Sequence, residues 1–281
     1  MLTNWLDVLR DKGRSENTLR TYSRRMEQFV KWFEETNGED LTPEGVTPTD
    51  MREFKAYLQT VKKQAASTVN LSLLAISSWL QYSGQTVAVP PLVREMKKAP
   101  QWLDRKEQHA LIRALERQQD NRETALILLM MHTGLRISEV ATLDIDDLSL
   151  LDRGSELIVR HGKGDKVRHV PLNKEVRRAL NDYLGSRHAG PVFLSQRGQG
   201  SHRLTVSGVR QVVEKYAYLS KIPELHPHAL RHTFAKNLLD IGVNMGVVAE
   251  LLGHENLNTT AQYIRPSSQD KALAVEKLTQ N

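Results

Sequence analysis

Five short segments carry side chains able to hold an anion and move a proton. Arg136 and Glu139 lie in Thr133-Gly134-Leu135-Arg136-Ile137-Ser138-Glu139, just past an apolar run. Lys163 stands between Gly162 and Gly164, where a tight turn projects an ammonium outward. His228 and Arg231, in His226-Pro227-His228-Ala229-Leu230-Arg231-His232, are three residues apart, so on a helix they share a face and their heads could grip one anion. His254 ends Leu251-Leu252-Gly253-His254, and Tyr263 ends Thr259-Thr260-Ala261-Gln262-Tyr263. Taken singly, each has a plain structural reading: a helix ion pair, a solvated turn lysine, a histidine bonded locally, a packed tyrosine. Other devices are missing. No Gly-Lys pair precedes Ser or Thr as in a nucleotide-binding loop, and there is no His-Glu-x-x-His, Gly-x-Ser-x-Gly or dinucleotide glycine fingerprint.

The elements that must position these groups follow from periodicity. After Ser15, a capping residue, Leu19, Tyr22, Met26, Phe29, Val30 and Phe33 mark one helical stripe ending near Asn37-Gly38. A short helix around Trp5–Leu9 precedes it. Thr49 or Asp50 is expected to cap a helix through Phe54, Leu58 and Val61, and Ser67 another through Val69 to Leu80. The pattern fails from Gln85 to Pro100, a stiff basic tether holding Pro90-Pro91, Arg94, Lys97 and Lys98. Beyond it, Asp104 caps a helix, residues 121–132 form an apolar buried helix, and 157–160 with 166–170 form a hairpin around the Gly-Lys-Gly turn. Helices are expected at 173–184, 205–218, 227–241, 245–252 and 257–263, followed by an apolar stripe of Ala272, Leu273, Val275 and Leu278. The fold class is therefore mainly α with a small antiparallel β-sheet (α+β), with domains at 1–84 and 102–281 and a linker at 85–101.

Composition narrows the function. The 281 residues include 39 Lys and Arg against 33 Asp and Glu, a formal charge of +6, and no cysteine. Thiol nucleophiles, disulfides and Cys-ligated metals are excluded. Residues 1–50 carry 7 basic and 10 acidic side chains, whereas residues 51–100 carry 7 and 2. This basic excess suits a polyanion partner without requiring one. The opening residues lack a signal peptide's pattern, and the longest apolar run, Ala125–Met131, is too short to span a bilayer; a cytoplasmic protein is expected.

In order and spacing, Gly-Leu-Arg-Ile-Ser-Glu, the Gly-Lys-Gly hairpin, His-x-Leu-Arg-His, Leu-Gly-His and Thr-Thr-x-x-Tyr together resemble the tyrosine recombinase (phage integrase) family. The resemblance implies an N-terminal helical, SAM-like core-binding domain before a catalytic domain, closing as a clamp on duplex DNA. It assigns Arg136, Lys163, His228, Arg231 and His254 as activating residues, Glu139 as their acidic support and Tyr263 as the nucleophile. It also implies phosphate contacts from Lys62, Lys63, Lys97, Lys98, Arg210 and Lys215. Double-stranded DNA with a short inverted-repeat core site would be the partner, bound by a dimer on each site and a tetramer in the synapse, with an accessory DNA-binding protein possible. No metal or cofactor is needed.

The chemistry agrees. A phosphodiester under attack concentrates charge on its non-bridging oxygens, which fixed guanidiniums stabilise. A phenol with an ordinary pKa near 10 needs a base, for which His228 is placed, and the departing 5′-oxygen needs an acid, for which Lys163 is placed. Because the core-binding pattern begins almost at once, a compact Xer-like member is expected. The alternatives are a type IB topoisomerase, which shares the chemistry but acts as a monomer, and a DNA-binding regulator, which would have no use for Tyr263 or Lys163. A zinc site from His226, His228, His232 and His254 is disfavoured, since no acidic or thiolate ligand joins them and Arg231 stands in their midst.

Overall fold

The computed structural model describes residues 2–95, 100–160, 167–196 and 202–253. Two compact units divide the chain, one within Met1–Lys98 and one within Ala99–Asn281.

The first unit is four helices, α1 (Leu2–Asp11), α2 (Glu16–Asn37), α3 (Pro48–Thr60) and α4 (Ala66–Tyr82). Ser15 caps α2 by accepting from the Thr18 N–H, and Gly38 ends it with φ +72°, a left-handed conformation that glycine adopts without penalty. The stripe expected along α2 is buried at Leu19, Met26, Phe29 and Phe33. Phe29 meets Phe54 of α3 edge to face at 4.9 Å, and Trp32 lies 5.1 Å from the same ring. Burying each such side chain contributes about 1.5–3 kcal/mol, so this aromatic knot holds the unit together.

Two caps differ from expectation. Neither Thr49 nor Asp50 caps α3; Thr47 does, because Pro48 occupies the first helical position and the Asp50 carboxylate reaches back to the Thr47 N–H at 2.8 Å. Ser67 is not the cap of α4 either; the helix begins at Ala66, and Ala65 contributes no side-chain bond. The start of the expected tether also has partners: Asn70 exchanges two hydrogen bonds with the backbone of Val93, at 2.8 and 2.9 Å, and Lys55 donates to the Pro91 carbonyl.

The second unit contains α5 (Arg105–Gln118), α6 (Asn121–Thr133), α7 (Ile137–Thr142), a 3₁₀ turn at Ile145–Asp147, strands β1 (Leu148–Ser149), β2 (Glu156–Val159) and β3 (Arg168–Pro171), then α8 (Lys174–Leu184), α9 (Val206–Ser220), α10 (Pro227–Asp240) and α11 (Met245–Leu252). Every residue from Ala125 to Met131 is buried, so α6 is the central post, flanked by α8 and α10. An apolar helix without a polar face has no other stable place. The antiparallel sheet has order β1-β2-β3, with Leu157 opposite Val170 and Val159 opposite Arg168. β1 and α7 are too short to announce themselves by periodicity. The expected helix 257–263 and the stripe from Ala272 to Leu278 lie outside the described residues.

Candidate active site

Two glycines set the geometry. α6 stops at Gly134, whose φ of +63° turns the chain so that Leu135 is buried and Arg136 begins α7. A Cβ at Gly134 would stand 2.5 Å from Phe234 and 2.7 Å from Leu252, so the left-handed turn and the close approach of α10 and α11 both call for glycine. Gly253, with φ +64°, ends α11 in the same way, and Arg168 lies against its bare Cα.

Around these turns the structure gathers Arg136, Glu139, His228 and Arg231, four of the expected site residues. Glu139, 5% exposed, accepts the Arg136 N–H at 2.8 Å and the Arg136 guanidinium at 3.0 Å. The other Nη of Arg136 donates to the Gly253 carbonyl at 3.1 Å. Arg231, 4% exposed, donates to the carbonyls of Gly134 and Leu252, each at 2.6 Å. Both guanidiniums are thus held by fixed acceptors while Arg136 keeps part of its surface open. Burial alone would raise the Glu139 carboxyl, but hydrogen bonds and charge from Arg168 and then Arg136 outweigh it and hold it below the usual carboxylate range.

His228 sits at the start of α10, whose first turn His226 caps by accepting the Ala229 N–H at 3.1 Å. Burial lowers the His228 pKa, reinforced by the charges of His226, Arg231, Arg136 and Arg210. Both causes favour the neutral imidazole, the form that accepts a proton. His232 stacks 6.3 Å away and is itself lowered to about 4, chiefly by burial.

Arg210, on exposed ground of α9, belongs to this electrostatic neighbourhood. Lys215, five residues further along α9, is committed elsewhere: its Nζ lies 2.5 Å from the buried carboxylate of Glu123, which also pairs with Arg122. Lys62 and Lys63 follow α3 in the first unit, exposed, Lys62 over the Tyr57 ring at 5.5 Å. Lys97, Lys98, Lys163, His254 and Tyr263 lie outside the described residues.

Arg168, which none of the motifs names, joins this cluster. It donates to both oxygens of Glu139, at 3.0 and 2.7 Å, and through Nε to the Leu251 carbonyl at 3.0 Å. On β3, Val170, in phase with it, is buried, while Val167 and His169 are exposed, so Arg168 points at the core; Val167 and Val170 fall on opposite faces, so the sequence alone does not mark that side. Among the described residues, no three His, Asp or Glu side chains gather as metal ligands would. The arrangement offers two rigid cations and an imidazole to one anionic group.

Residues 101–270 match the phage integrase family, and residues 2–85 match the phage integrase N-terminal SAM-like domain. The chain is 32% identical over 284 residues to the tyrosine recombinase XerC of Thermodesulfovibrio yellowstonii, covering 93% of this chain and 90% of that protein. To the tyrosine recombinase XerA of Pyrococcus horikoshii it is 31% identical over 282 residues, covering 99% and 93%. The fold is also that of a XerH site-specific recombinase solved with its difH substrate in a pre-cleavage complex, with TM-score 0.71 at 21% identity over 92% of this chain and 78% of the other.

Proposed function

The chain belongs to the phage integrase family of tyrosine recombinases, and from that premise we propose that it cleaves and rejoins DNA strands at a specific site through a 3′-phosphotyrosyl intermediate. The observation that carries this reading is the pair of guanidiniums, Arg136 and Arg231, each anchored by two acceptors, whose charges reach His228. Anchored donors need no reorganisation as charge develops on the non-bridging oxygens, and each is worth roughly 3–4 kcal/mol of barrier if comparable to an oxyanion-hole donor.

The Tyr263 oxygen attacks phosphorus and passes its proton to His228. The 5′-oxygen departs with a proton from Lys163, and His254 donates a hydrogen bond to the phosphate. The new ester conserves the phosphodiester bond, so the 5′-hydroxyl of another strand reverses the step and completes strand exchange without ATP or metal. The substrate is duplex DNA with a short inverted-repeat core, bound by a dimer on each site and a tetramer in the synapse. Integration, excision and resolution of dimers or cointegrates all use this chemistry in the cytoplasm, with or without an accessory DNA-binding protein. Lys62, Lys63, Lys97, Lys98 and Arg210 contact phosphates, and Lys215 contributes less because Glu123 already holds its charge.

The test mixes purified protein, in EDTA, with labelled DNA flanking its own gene, and with nicked versions that trap the intermediate. Wild type forms a denaturant-resistant adduct and Tyr263→Phe does not. An adduct from both proteins would mean another nucleophile, and binding without any adduct would favour a DNA-binding regulator.

A further inference from the structure

We propose that Arg168 is a positioning residue of the strand-cleavage site, bonding both Glu139 and the last turn of α11 and thereby fixing the Arg136 guanidinium against the scissile phosphate. The inference rests on the reading above and extends it to a residue on the sheet.

Arg168 has the features of a fixed part rather than a surface cation. Its side chain is 10% exposed and that of Glu139 3%, and the two meet in a bidentate pair, the geometry in which a guanidinium fork matches a carboxylate. The Arg136 guanidinium bonds the same carboxylate at Oε1, so one anion is shared by two guanidiniums. Without Arg168, Glu139 would have one guanidinium to hold it and could rotate toward Arg136, drawing that cation away from a bound phosphate.

Arg168 acts at a second point. Its Nε caps the Leu251 carbonyl, Arg231 takes Leu252, and Arg136 takes Gly253. Three successive carbonyls at the end of α11 thus each accept from an arginine, and the three arginines come from three elements. The next residue in the chain is His254. Gly253 is part of the device, because a Cβ there would come within 3.1 Å of the Arg168 Nη1. A lysine at 168 keeps the charge but has one head, and cannot serve both oxygens of Glu139 and the Leu251 carbonyl in this geometry.

The experiment measures adduct formation at saturating DNA, once the Tyr263-dependent adduct is established in wild type, together with DNA affinity and thermal unfolding. Arg168→Met and Arg168→Lys are expected to slow adduct formation about 10–100-fold, as loss of an outer partner does at other sites, with DNA affinity within about threefold of wild type. The defect should shrink when a neutral methylphosphonate replaces the scissile phosphate, because less charge then needs Arg136. It should persist when sulfur replaces the 5′-oxygen, which relieves the need for an acid. In a Glu139→Gln background, Arg168→Met should add little. A variant with wild-type rates overturns the proposal, as does a rate loss matched by lost DNA binding, or rescue by 5′-sulfur, which would place the effect at the Lys163 hairpin. Absence of any adduct in wild type would instead refute the reading beneath it.

Discussion

Gly134→Ala separates two demands that the structure makes at one residue. The first is conformational: at φ +63° an L-residue costs about 1–2 kcal/mol over glycine. The second is steric, since the new methyl would meet Phe234 at 2.5 Å and Leu252 at 2.7 Å, and such overpacking typically costs a further ~1–3 kcal/mol. Gly242 provides the control within the same unit. Its φ is +85°, yet a Cβ there meets nothing within 4 Å, so Gly242→Ala carries the conformational penalty alone. Denaturant unfolding of the full chain should therefore show Gly134→Ala less stable than Gly242→Ala by the steric part. The same clash pushes Leu252, whose carbonyl anchors Arg231, while Arg231 also bonds the Gly134 carbonyl. Adduct formation should accordingly drop in Gly134→Ala under conditions where both variants remain folded. Equal stability of the two variants would refute the steric argument, and an unaltered rate would refute the link from this turn to Arg231.

Thr233→Val, nearly isosteric, leaves the buried Leu103 N–H without the Oγ1 acceptor now at 2.9 Å, and should destabilise by about 1–3 kcal/mol in denaturant titration. His232 is held at about 4 in the fold against an ordinary 6.5, so between those values the unfolded chain binds more protons and stability falls as pH falls; the melting temperature of His232→Gln should vary less over that window than wild type's. For DNA binding, Arg210→Ala should flatten the dependence of log affinity on log salt by about 0.9, the share of one phosphate contact. Lys215→Ala should flatten it less, and an equal change in both would show that Glu123 does not restrain Lys215.

Much of this architecture was written in periodicity. The α2 stripe, the apolar α6 and the Asp104 cap of α5 follow from residue types that tolerate few other placements. Periodicity does not single out the cap of α3, because Thr47, Thr49 and Asp50 compete within four residues, and Pro48 decides among them by fitting the first helical turn. Local pattern was also blind to Ala65, a cap with no side chain to offer. At the site, the ordered motifs named Arg136, Glu139, His228 and Arg231, which the fold brings together. Arg168 escaped because its meaning lies in Glu139, 29 residues away. On a strand, an isolated arginine reads as solvated until its partner across the fold is known.

The three arginines on α11 have a bearing on how the chain matures. Arg136 leaves the ribosome 117 residues ahead of Gly253, and Arg168 83 residues ahead of Leu251. Contacts of such long sequence separation can close only after the intervening chain is present, and they carry the entropy cost of a long loop. A nascent or truncated catalytic unit that stops short of α11 therefore carries these cations without the carbonyls that hold them.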